Sequence, residues 1–92
     1  MIQQKDLVKG QTLTKQQIRD ILNKSRFSYD YVKFTTYKKE YITITFTRDN
    51  KYEIATNSRD YNIWYDIKIL KTVLNFEGLV NFVFKWINKL NK

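Results

Sequence analysis

Tyr41-Ile42-Thr43-Ile44-Thr45-Phe46-Thr47 carries the clearest strand pattern of the chain. Apolar residues alternate in it with Tyr and Thr. Successive side chains of a strand point to opposite faces, so Ile42, Ile44 and Phe46 share one side and Tyr41, Thr43, Thr45 and Thr47 the other. Helical spacing would mix the two sets. β-Branched and aromatic residues also suit a pleated, half-buried surface. The stretch predicts a strand over 40–48 with a core face and an outward Tyr/Thr face.

The neighbours extend this pattern. Arg48-Asp49-Asn50-Lys51 reads as a hairpin turn, because Asp and Asn tolerate left-handed backbone, and 51–56 reads as the next strand. Upstream, 27–36 predicts a strand with Val32 and Phe34 inward and Tyr29, Tyr31, Lys33 and Thr35 outward. Downstream, Asn57-Ser58-Arg59-Asp60 is a turn cluster. Alternation of Tyr61, Ile63, Tyr65, Ile67 and Ile69 then predicts a strand over 61–69 with Trp64 and Lys68 outward. A short helix through Ile67 to Leu74 is the competing reading.

The period changes at both ends of this region. Thr14 and Gln17 form a Thr-x-x-Gln capping box, and Leu13 and Ile18 occupy the positions of a hydrophobic staple. Ile18, Ile21 and Leu22 follow helical spacing, predicting a helix over 15–24. Asn75 can cap a second helix over 76–90. Its apolar face is Phe76, Leu79, Val80, Val83, Ile87 and Leu90, and Phe82, Phe84 and Trp86 widen that face beyond the stripe one sheet requires. Residues 1–12 read as a polar lead-in. The expectation is one α+β domain over 1–92. It is a small antiparallel β-meander of three to four strands, flanked by an N-terminal and a C-terminal helix on one face.

Composition narrows the chemistry. The 92 residues include no Cys and no His. Disulfides, the usual zinc and haem ligand sets, and Ser-His or Cys-His nucleophile pairs are thereby excluded. Asp66-Ile67-Lys68 faintly echoes half of a metal-dependent nuclease site, but three residues match often by chance. The chain is read as a non-enzyme, with no catalytic residue, no metal and no cofactor. No N-terminal apolar segment resembles a secretion signal and no run approaches the ~18–20 residues of a membrane span, so a cytoplasmic protein without a membrane partner is expected. Abundant Lys, Ile, Asn and Tyr with no Pro match the bias of an AT-rich genome, that of a low-GC bacterium, its phages or its mobile elements.

The formal net charge of +8 favours an anionic partner. Only 52–67 is locally acidic, with Glu53, Asp60 and Asp66 against Arg59. The outward face would carry Tyr29, Tyr31, Lys33, Tyr41, Trp64 and Lys68. Rings there can stack on bases, and lysines attract phosphates. Lys38, Lys39, Arg48 and Lys51 would add basic loops at the sheet ends. Tyr and Thr are also simply good strand formers, and paired lysines in a turn are commonly just solvated. Nucleic-acid binding by this face is the leading expectation. The alternative is an accessory protein of a phage or mobile element that binds and inhibits or redirects a host protein. Phe82 and Trp86 would then supply an apolar contact. A homodimer through that shoulder or through an unpaired sheet edge is compatible with either.

Overall fold

A computed structural model of the chain describes residues 3–26, 31–47, 52–57, 68–73 and 75–92, with backbone alone for Gln3 and for 68–73. In chain order the elements are β1 (Gln3–Asp6), α1 (Lys15–Arg26), β2 (Tyr31–Thr35), β3 (Tyr41–Phe46), β4 (Tyr52–Thr56), β5 (Lys68–Val73) and α2 (Phe76–Leu90). The strands form one sheet in the order β1-β2-β3-β4-β5. The fold is α+β.

The sheet is mixed, which corrects the expectation of an antiparallel meander. β2 to β5 pair antiparallel, but β1 lies parallel to β2, with Gln3 opposite Val32 and Asp6 opposite Thr35. Parallel neighbours need a long crossover, and here α1 lies within it. The segment read as a polar lead-in is therefore an edge strand. Gln3-Gln4-Lys5-Asp6 has no apolar alternation to announce it, and it is held by backbone pairing. Leu7 continues that pairing by donating its N–H to Thr35 O at 2.8 Å, and its side chain is buried.

β5 corrects a second expectation. It spans 68–73, so the competing helix through Ile67 to Leu74 is not formed, and the strand expected over 61–69 reaches four residues further. Residues 61–67 lie outside the described residues. The β4–β5 register slips between Ile54 and Ala55, which pair with Lys71 and Ile69. Leu70 is the extra residue of a β-bulge.

Burial follows the alternation. Val32 and Phe34 of β2, Ile42, Ile44 and Phe46 of β3, and Tyr52, Ile54 and Thr56 of β4 are buried, while the residues between them are half-buried or exposed. The buried face meets Ile18 and Leu22 of α1 and Leu79, Val80, Val83, Trp86, Ile87 and Leu90 of α2 in one core. Phe46 and Tyr52 pair edge to face at 5.5 Å between centroids, and Tyr52 meets Phe76 at 6.3 Å. Such ring pairs add about 0.5–1.5 kcal/mol each beyond area burial.

The helix starts are closed by side chains. Gln17 N–H donates to Thr14 Oγ1 (3.1 Å), and Thr14 N–H donates to Gln17 Oε1 (2.8 Å). At α2, Gly78 N–H donates to Asn75 Oδ1 (2.6 Å). Arg19 of α1 forms a two-pronged pair with Glu77 of α2, at 2.9 and 3.1 Å. No helix among the described residues is long and apolar enough to cross a membrane.

Candidate functional site

The sheet face opposite the helices carries the candidate site. Alternation puts Tyr31, Lys33 and Thr35 of β2 and Tyr41, Thr43 and Thr45 of β3 on that face. The register sets Tyr31 opposite Thr45, Lys33 opposite Thr43 and Thr35 opposite Tyr41. Tyr31, Lys33, Tyr41, Thr43 and Thr45 line a shallow depression of about 300 Å³. That is at the small end of ligand-sized clefts.

Diagonal neighbours across the ladder bring Lys33 to Tyr41, with Nζ 4.5 Å from the ring centroid. A cation over an aromatic face is attracted by the ring quadrupole, which draws this half-exposed ammonium towards the Tyr41 ring. Tyr41 is itself fixed by the start of β3. Its N–H donates to Asn57 Oδ1 at 2.7 Å, and its carbonyl accepts from the Thr56 hydroxyl at 2.7 Å and from Asn57 N–H at 3.3 Å. The Thr35 hydroxyl, buried beside this end of the depression, has no hydrogen-bond partner among the described residues.

The charge of the face is mixed. Asp6 shares it through pairing with Thr35, and the exposed Glu53 shares it through pairing with Thr45. Asp6 accepts from the Gln4 side chain at 3.2 Å. Among the described residues Lys33 thus stands between two carboxylates.

Lys38 and Lys39 are not on this face. They project from the turn that joins β2 to β3, beyond its Tyr41 end. There Lys38 and Lys9 both approach the ring of Tyr37, with Nζ at 5.6 and 5.8 Å from the centroid. Asn91 ties this end together. Its side-chain N–H groups donate to Val8 O (2.8 Å) and Gln11 O (2.9 Å), its Oδ1 accepts from Tyr37 N–H (3.0 Å), and its carbonyl accepts from Gly10 N–H (3.0 Å). Lys9 was missed by sequence reasoning, because nothing in its spacing links it to a turn so far along the chain.

Other expected site residues fall elsewhere. Tyr29, Arg48, Lys51 and Trp64 lie outside the described residues, as do Asp66 and Ile67. Lys68 pairs in the register with Thr56, a buried position, and so is out of register with the outward set. Trp86 is fully buried, which corrects its assignment to an apolar docking shoulder. The arc widened by Phe82, Phe84 and Trp86 is taken up by the core between α1, α2 and the sheet, and Phe82 and Phe84 pack half-buried at its margin. The indole Nε1 of Trp86 has no hydrogen-bond partner among the described residues. Also among those residues, no group of three or more carboxylates is placed to hold a metal ion.

No protein-family model matches the chain, and searches of curated proteins and of solved structures found no match either.

Proposed function

We propose that the protein is a non-enzymatic binding module that takes single-stranded nucleic acid on its Tyr/Thr/Lys sheet face. The observation that carries the reading is the depression between β2 and β3, lined by two tyrosines and a lysine on the face away from the helices. Tyr31 offers a half-exposed ring on which an unpaired base can stack, worth ~1–3 kcal/mol per base. Lys33, held over Tyr41, meets a phosphate or a base carbonyl at a set place. The hydroxyls of Thr43 and Thr45 both donate and accept, so they contact any base edge without selecting one. Single strands fit better than duplex because a ring in a shallow depression needs a base that is out of its stack.

The protein-directed alternative loses Trp86 to the core and keeps only the half-buried Phe82 of its apolar contact. The test is fluorescence anisotropy with labelled single-stranded DNA, duplex DNA and RNA at ~50 and ~200 mM salt. Saturable binding of single strands that Tyr31→Ala and Lys33→Ala each weaken by about tenfold supports the reading. No binding at the lower salt overturns it.

A further inference from the structure

We infer that Lys9, Lys38 and Lys39 form a phosphate-binding patch that holds the backbone of a single-stranded nucleic acid as it leaves the Tyr41 end of the sheet face. The inference rests on the reading above and adds where the charge of the strand is met and along which direction the strand lies.

The argument begins with a mismatch. A polyanion binds chiefly through neutralised phosphates, yet the described part of the outer face sets Asp6 and Glu53 against Lys33. That face can stack bases but is poorly suited to carrying the backbone. The lysines that can do so stand just beyond it. β2 ends at Thr35 and β3 begins at Tyr41, so the turn that carries Lys38 and Lys39 follows directly on the last paired residues of the depression. Lys9 reaches the same place from the segment after β1, over the ring of Tyr37.

Three features set this cluster apart from solvated surface lysines. Lys9 and Lys38 converge on one ring, carried by a backbone that hydrogen bonds to Asn91 tie to the segment after β1. None of the three lysines has a carboxylate ion-pair partner among the described residues, although Asp6 lies three residues before Lys9 and the half-buried Glu40 next to Lys39. Lys39 sits at φ 69°, a left-handed conformation usually left to Gly or Asn. A lysine kept there, with like charges gathered beside it, costs stability that an anionic ligand would offset. The strand therefore runs along β2 and β3, with a base over Tyr31, Lys33 over the Tyr41 ring meeting the strand next, and the following phosphates at the turn, and not across the sheet from β1 to β5.

The test compares oligo(dT) binding by the wild-type chain, by Lys33→Ala and by the triple variant Lys9→Gln/Lys38→Gln/Lys39→Gln, each across a salt series. Far-UV circular dichroism confirms the fold of each. Loss of three phosphate contacts at about 0.7 each lowers the slope of log K against log salt by about 2. The triple variant is expected to show this reduction and to bind at least about tenfold more weakly at low salt, while still quenching tyrosine fluorescence when saturated. An unchanged slope overturns the patch while leaving the sheet-face reading intact. Should the wild-type chain bind no oligonucleotide, the sheet-face reading and the assignment of the phosphates to nucleic acid fall together, and only phosphate binding by the patch is left to test. The patch is then decided by titrating inorganic tripolyphosphate and following amide shifts. Shifts at Lys9, Tyr37 and Lys38 that vanish in the triple variant support it, and their absence overturns it. Tighter binding to anionic phospholipid vesicles than to oligo(dT) overturns the assignment of the phosphates to nucleic acid.

Discussion

At the scale of single residues, Asn91 and the Arg19–Glu77 pair show how little sequence is needed to join distant parts of the chain. Asn91 is buried, and its side-chain amide serves two carbonyls and one N–H from two separate loops. A carboxylate of the same shape has no N–H to offer those carbonyls. Asn91→Asp is expected to cost about 2–4 kcal/mol in chemical denaturation, because it leaves two acceptors unsatisfied beside a new charge. Glu77 is exposed, but the hydrogen bonds and charge of Arg19 hold its carboxyl below the ordinary carboxylate value and raise Arg19 in return. Since the folded value lies below the unfolded one, the pair adds stability above the ordinary carboxylate range and loses it as pH falls through the folded value. An NMR titration of Glu77 should show the depressed midpoint, and Arg19→Gln should return it to normal. An ordinary midpoint in the wild-type chain would show the pair to be broken in solution.

Elements differ in how openly the residues declare them. In β3 the alternation of the sequence is also the alternation of burial, because both faces of a strand with one buried side are under opposite constraints. The apolar stripe of α2 likewise maps onto its buried residues. β1 declares nothing. Its four polar residues join the sheet through backbone hydrogen bonds to β2, and backbone groups are the same in every sequence. This difference should appear in native-state hydrogen exchange. Amides of β3, paired on both sides and covered by the core, are expected to exchange only by global unfolding. Those of β1, at an edge and lacking apolar side chains, should exchange by local opening orders of magnitude faster. Equal protection in β1 and β3 would mean that the edge strand is held by more than its ladder.

Across the whole molecule, net charge and the charge of the outer sheet face differ among the described residues. The net charge of +8 is a property of the chain, yet the described residues of the outer sheet face set one lysine against two carboxylates, while Lys9 and Lys38, remote in sequence, meet at one end. Reversing the one cation of the depression should therefore matter more than its share of the total. Lys33→Glu changes the net charge to +6, still strongly basic, but leaves three carboxylates facing a bound strand. It is expected to remove oligonucleotide binding at ~50 mM salt with little change in melting temperature, since Lys33 is half-exposed. Retained binding would show that the strand avoids this face.

The α+β class and the inward and outward residues of β2 and β3, including Tyr31, Lys33 and Tyr41, follow from local residue patterns alone. Periodicity is a local record of which side is dry, and it needs no knowledge of the partner. Four features come from the packing of the whole chain: the parallel pairing of β1, the shifted register of β5, the burial of Trp86, and the meeting of Lys9 with Lys38 over Tyr37. Each depends on which segments of the chain become neighbours. That choice follows from loop closure, backbone pairing and the total volume of the core, which no short stretch of residues encodes.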